Sequence, residues 1–176
     1  MKKSNNLVLI GFMGVGKGTV GRELAKALNK FAIDGDDMIE SFANKKIKAI
    51  FQEDGEEVFR EIEKNLAKFL SSSVSNAIIS TGGGFYKVKG LEKIGTIIYL
   101  KSSFEAILTR INASPNASKK LAKRPLLQDL EKAKTLHKER EKGYESKADI
   151  TVNVEGKTPK QIVKEIKKQL KIAKFK

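Results

Sequence analysis

The sequence of 176 residues predicts an α/β fold of three layers, with a five-stranded parallel sheet between helices. Three observations lead there. Five short apolar runs, at Leu7–Ile10, Phe31–Ile33, Ala77–Ser80, Thr96–Leu100 and Asp149–Asn153, alternate with stretches of helical periodicity. A glycine-rich loop joins the first run to the first helical stretch. An acidic cluster at Asp34–Asp37 and a glycine triple at Gly82–Gly84 follow two other runs at once. Both then lie at the carboxyl edge of the sheet, where ligands of open α/β sheets bind.

The composition narrows the function classes. This length suits a single domain over residues 1–176. Hydrophobic residues at 40% and charged residues at 32% describe a globular protein. No apolar run approaches the roughly 20 residues that span a bilayer, and Met1–Asn6 leaves no room for a signal peptide, so a cytoplasmic protein is expected. The absence of cysteine excludes disulfides and thiolate metal sites, and His137 is the single histidine. The net charge of +14 raises nucleic acid as a partner. The lysines are scattered over polar helix faces, however, so neither nucleic acid nor membrane is expected. Only five of the basic residues are arginine: Arg22, Arg60, Arg110, Arg124 and Arg140. Each is a candidate anion clamp, because only arginine offers a planar fork.

The loop Gly11-Phe12-Met13-Gly14-Val15-Gly16-Lys17-Gly18-Thr19 sits between strand and helix, as a phosphate-binding loop requires. Its glycines let successive N–H groups face one hollow, and the helix dipole points into the same place. Lys17 reaches the β- and γ-phosphates of a nucleotide as a point charge. A plain glycine turn is the alternative, and the register of strand, loop, lysine and helix argues against it. Gly18 breaks the usual pattern, putting the hydroxyl one place late on Thr19.

Along the chain, Val20–Leu28 forms the first helix, with Val20, Leu24, Ala27 and Leu28 on one face. In the acidic cluster Asp34 and Asp36 alternate with Gly35, so one can serve a metal and the other take a proton from an acceptor hydroxyl. The plain alternative is that Asp36 or Asp37 simply caps the next helix, Met38–Ala43; capping accounts for one of the three aspartates but not for all. Lys45–Gln52 is a short amphipathic stretch. A longer helix follows Asp54-Gly55, and on it Glu63 lies three residues beyond Arg60, close enough to orient the guanidinium. Ser71–Asn76 reads as a loop. The triple Gly82-Gly83-Gly84 signals close approach of backbone to a ligand. Ser103 caps a helix through Ile111. Residues 112–124 have the composition of a mobile lid, closed by Arg124-Pro125. A helix from about Leu127 carries Arg140 and Tyr144, and Thr158-Pro159 opens the last.

Taken together, these pieces resemble the shikimate kinases, within the nucleoside-monophosphate-kinase-like P-loop NTPase fold. The matching segments are Gly11–Thr19, Asp34-Gly35-Asp36, Gly55-Glu56 with Phe59-Arg60 and Glu63, Gly82–Gly84, Arg124–Leu127, and Arg140 with Tyr144. The resemblance implies transfer of the ATP γ-phosphoryl group to the shikimate 3-hydroxyl by a monomer, with Mg²⁺ as cofactor. It implies that Asp36, Arg60, Arg140 and Gly82–Gly84 hold shikimate, in a pocket walled by Phe51 and Phe59 within a helical segment of about residues 35–62. Gly14, Val15, Gly16, Lys17, Gly18 and Thr19 would hold ATP, with Arg110 and Pro159 flanking adenine and Arg124 closing over the phosphates. Lys17, Asp36 and Arg124 would be catalytic, and Asp34 and Thr19 would serve the metal. Arg22 would belong to the framework of the loop helix. Two residues depart from the family pattern: Gly18 replaces a metal-ligating hydroxyl, and Lys142 replaces a proline. The rival readings are a gluconate or nucleotide kinase, a basic nucleic-acid-binding protein, and a catalytically silent relative.

Overall fold

The computed structural model describes residues 4–115, 117, 118 and 125–173. Its sheet comprises β1 (Leu7–Ile10), β2 (Phe31–Asp34), β3 (Ala77–Ser80), β4 (Thr96–Lys101) and β5 (Ile150–Asn153). All pairs are parallel, in the order β2-β3-β1-β4-β5. Leu7 stands opposite Ile78 on one side and Thr96 on the other, which makes β1 the central strand. Strands β1 and β3 are buried throughout and therefore read as unbroken apolar runs. At one edge β5 alternates, with Ile150 and Val152 inward. At the other edge, Phe31 of β2 is 89% exposed.

The helices are α1 (Lys17–Leu28), α2 (Gly35–Ala43), α3 (Ile47–Ala49), α4 (Gly55–Ser73), α5 (Leu91–Ile94), α6 (Phe104–Asn112), α7 (Leu130–Lys147) and α8 (Pro159–Ala173). The connection from β1 to β2 crosses the sheet in one direction, and the three that follow cross it in the other. Right-handed crossovers therefore place α1 on one face and α4, α5 and α6 on the opposite face. The packing of α1 on α8, and of α4 on α5, agrees. At β1 the chain turns away from the direction taken by its neighbours, which opens the crevice for a ligand.

Several boundaries differ from the sequence reading. Helix α1 starts at Lys17 rather than Val20, because Gly16 at φ 99° ends the loop directly before it. Ser71–Ser73 form the last turn of α4 instead of a loop; the Ser71 hydroxyl donates back to the Lys68 carbonyl at 2.9 Å. The amphipathic stretch after Lys45 divides into α3 and a wide turn at Ile50–Asp54, closed by Gly55 at φ 88°. Helix α7 begins at Leu130, where the Asp129 side chain accepts from the Lys132 N–H at 3.1 Å. The caps at Ser103 and Thr158 form, with Ala106 N–H donating to one hydroxyl and Gln161 N–H to the other. The Thr158 N–H donates to Gln161 Oε1 in return, a capping box.

Asn6 is fully buried, beneath the start of the sheet. Its Nδ2 donates to the carbonyls of Val74 (2.8 Å) and Ile94 (2.9 Å), and its Oδ1 accepts from Ala77 N–H (2.9 Å). One side chain thus fastens the ends of α4 and α5 to the beginnings of β1 and β3. His137 is buried too, with Nε2 at 2.9 Å from the Ser102 carbonyl and its ring edge-on to Phe12.

Candidate active site

The phosphate loop owes its shape to three glycines. Gly11, Gly14 and Gly16 have φ of 143°, 80° and 99°. At Gly11 space forbids a side chain as well, since a Cβ would lie 2.8 Å from the Leu100 carbonyl oxygen; at Gly14 and Gly16 it would lie 2.7 Å from Ile111 Cδ1 and from Arg110 Nη1, side-chain ends that would have to shift. Lys17 folds its ammonium back across the hollow, donating to the carbonyls of Gly11 (2.7 Å) and Phe12 (3.1 Å). Arg110 projects from the last turn of α6 against Gly16, where burial lowers its pKa without discharging it. The Ser80 hydroxyl donates to the Lys17 carbonyl at 3.2 Å and so joins β3 to the start of α1.

Gly18 is helical and unstrained. A Cβ there would lie 3.4 Å from Arg22 Nη1 and 3.7 Å from Asp34 Oδ2, which is ordinary contact. Thr19 is exposed. The position facing the acidic cluster therefore carries no hydroxyl, and the hydroxyl residue beside it lies at the surface.

The cap of α2 is neither Asp36 nor Asp37. Asp34 Oδ1 accepts from the N–H groups of Asp36 (3.0 Å) and Asp37 (3.4 Å), and the helix starts at Gly35. The residue that ends the strand is the first able to turn its side chain back over the opening helix. Capping leaves Asp36 available to the crevice. Its Oδ1 lies 2.7 Å from where a Cβ on Gly82 would stand. Burial pushes its carboxyl up to about 6, against the pull of Lys17 and with help from Asp34, Glu63 and Glu40. The pairing of Asp34 with Ser80 brings the acidic cluster and the glycine triple out side by side.

No group of three His, Asp or Glu among the described residues could hold a metal alone. Magnesium needs only one or two carboxylates when phosphates and water complete its shell. Asp34 Oδ2, left out of the cap and facing position 18, fits that role.

On the far side of the glycine triple lie two arginines. A Cβ on Gly83 would meet Arg140 Nη1 at 3.2 Å, and one on Gly84 would meet Arg60 Nη1 at 2.8 Å. Arg60 Nη1 donates to Glu63 Oε2 at 2.5 Å, as the spacing predicts, while Nε and Nη2 donate to Glu56 Oε1 at 3.1 and 2.8 Å. Glu63 is 1% exposed, and burial raises its pKa against the opposing pull of Arg60 and Arg140. Arg140 Nε is buried without a hydrogen-bond partner. Phe51 and Phe59 pack at 4.5 Å between ring centres, with the Arg60 guanidinium over Phe59 at 5.3 Å. A cleft of about 600 Å³ opens beside Arg60, lined by Glu56, Glu63, Lys64, Lys87 and Lys89 among others.

Tyr144 supports this side of the site. Its hydroxyl donates to the Gly83 carbonyl at 2.6 Å, and its ring lies between Tyr86 and Tyr99. Lys142 is exposed, and α7 passes through it unbroken. Gly143 and Tyr86 escaped the sequence reading. A Cβ on Gly143 would stand 2.3 Å from Tyr86 Cε2, a contact between segments that no local pattern encodes. Glu56 was legible in the sequence only as part of the matching Gly55-Glu56 segment, with no role assigned to it. Arg22 is exposed on α1 and Pro159 opens α8. Arg124 and residues 116 and 119–124 of the expected lid lie outside the described residues.

The family model for shikimate kinase matches residues 13–171. A shikimate kinase from Helicobacter hepaticus is 41% identical over 148 residues, covering 84% of this chain and 86% of that protein. One from Persephonella marina is 41% identical over 167 residues, covering 92% and 96%. The solved structure of shikimate kinase from Acinetobacter baumannii in complex with shikimate superposes with a TM-score of 0.85 at 30% identity, over 98% of this chain and 96% of that one. The chain belongs to the shikimate kinase family.

Proposed function

We propose that the chain transfers the γ-phosphoryl group of ATP to the 3-hydroxyl of shikimate, giving shikimate 3-phosphate for aromatic amino acid biosynthesis. The observation that carries this reading is the glycine triple, with Asp36 against Gly82 and the arginines against Gly83 and Gly84. An acceptor seated there has a hydroxyl at the carboxylate and its own carboxylate at the guanidinium groups. A nucleotide acceptor fits a site of this kind less well, because it has no carboxylate for the arginines.

Phosphoryl transfer depends on positioning and charge stabilisation more than on covalent chemistry. The N–H groups of Gly14–Thr19 would cradle the phosphates, and Lys17 would leave the Gly11 and Phe12 carbonyls to stabilise charge on the transferring group. Asp34 would hold Mg²⁺ through water, and the ion supplies charge neutralisation on the phosphates. Asp36 would align the acceptor hydroxyl and take its proton. Arg110 would flank the nucleotide with Pro159, and Arg124 would close over the phosphates. Phe51 and Phe59 would wall the acceptor pocket. The protein would act as a cytoplasmic monomer of one domain, without nucleic acid. No helix among the described residues is long and apolar enough to cross a membrane.

The test is ADP release from MgATP with and without shikimate. Strong dependence on shikimate, lost in Asp36→Ala, is the expected result; release indifferent to shikimate would remove the acceptor and leave only the nucleotide site. Arg60→Ala should raise the shikimate KM about ten- to a hundredfold, the worth of a charge-assisted pair, with little effect on the ATP KM. Equal rises in both would contradict the assignment.

A further inference from the structure

The two guanidinium groups assigned to the acceptor carboxylate are in different states. Arg140 keeps a buried Nε with no partner. Arg60 gives three of its five N–H groups to the protein's own acids, with Glu63 on Nη1 and Glu56 across Nε and Nη2. Those two acids are unlike. The Glu63 side chain is 2% exposed and fixed, whereas the Glu56 side chain is 65% exposed and held by Arg60 at the open mouth of the cleft.

We propose that Glu56 stands in for the acceptor's carboxylate, so that acceptor binding is an exchange of one carboxylate for another on Arg60. This rests on the acceptor reading above and deepens it. Charge balance favours exchange. On Arg60 itself Glu63 and Glu56 already sit against one guanidinium, so a third carboxylate added there would meet two others at close range. Releasing Glu56 keeps the balance, and the cleft gives it room among Lys64, Lys87 and Lys89. The geometry is suited to this. Glu56 offers one oxygen, Oε1, to both Nε and Nη2, while an incoming carboxylate can place an oxygen on each. The pair is also easily broken, since an exposed i,i+4 pair is weak. Glu63 stays, holding Nη1 and the orientation of the guanidinium. Glu56 thereby keeps Arg60 extended toward Gly84 between turnovers and sets a threshold that a neutral sugar acceptor cannot overcome.

The alternative is that Glu56 remains on Arg60 and orients it for the acceptor. The two roles predict opposite signs. Calorimetric titration of the full chain with shikimate, using Glu56→Gln and Glu57→Gln, separates them. Glu57 shares the first turn of α4 and gives the same change of charge and helix-dipole interaction. Exchange predicts that Glu56→Gln binds shikimate about two- to fivefold more tightly than Glu57→Gln, the worth of an exposed ion pair. The shikimate KM should fall by the same factor while the ATP KM holds. Equal or weaker binding by Glu56→Gln overturns the exchange. Failure of the unaltered protein to bind shikimate overturns the acceptor reading itself.

Discussion

Asp36 shows how one residue's burial becomes both chemistry and cost. Its carboxyl rises from the ordinary 3.8 to about 6 because burial disfavours the charge, with Lys17 opposing. A raised acid contributes stability below its unfolded value, and that contribution disappears as pH climbs through its folded value. The rise corresponds to about 3 kcal/mol held against folding above pH 6. Asp36→Asn should therefore be more stable than the parent at pH 7–8, by up to about 3 kcal/mol, with the gap vanishing near pH 4. Urea unfolding across that range measures it, and a gap independent of pH would contradict the cause. Turnover by the parent should fall as pH drops through about 6, where Asp36 takes up a proton. The sequence pointed to this residue through its position after a strand. It could not say that Asp34 would take the cap, because that depends on the angle at which β2 enters α2.

At the scale of the element, α1 carries both the expected part of the site and its departure. The loop, its three positive-φ glycines and Lys17 were legible because each is a local demand of backbone and charge. The consequence of Gly18 was not. Only the placing of α1 against β2 reveals that position 18 faces Asp34 while Thr19 is exposed. Gly18→Ser should fit without strain and direct a hydroxyl toward the metal side of the hollow. It should strengthen ADP binding severalfold in the presence of Mg²⁺ and leave metal-free binding unchanged. Equal effects with and without the ion would show a gain in helix propensity alone. Long α4 was clear from periodicity; its end was not, because the Ser71 hydroxyl donates back to the Lys68 carbonyl and carries a serine run that reads as loop into the last turn.

In the whole molecule, the crevice exists because strands and crossovers are held in one register, and Asn6 is a principal fastening. Replacing it by alanine strands the Ala77 N–H and the Ile94 carbonyl in a buried place and leaves the Val74 carbonyl only the Ser4 hydroxyl, at 3.3 Å. Asn6→Ala should lose about 3–5 kcal/mol in urea unfolding, whereas exposed Asn5→Ala should change stability by about 0.5 kcal/mol or less. Similar losses in both would deny the fastening. By itself the sequence determined the alternation of strand and helix, the phosphate loop, the candidate arginines and the family resemblance. These follow from periodicity, from glycine's freedom and from ordered spacing along the chain. The tertiary structure decided which acid caps α2, that position 18 rather than Thr19 faces Asp34, and that Glu56 occupies Arg60. It also brought Gly143 against Tyr86 and Asn6 beneath three segments. The cap and the Glu56 pair are local in sequence but rest on how each helix begins; the others depend on distances between parts of the chain far apart in sequence, which are fixed only when the core packs.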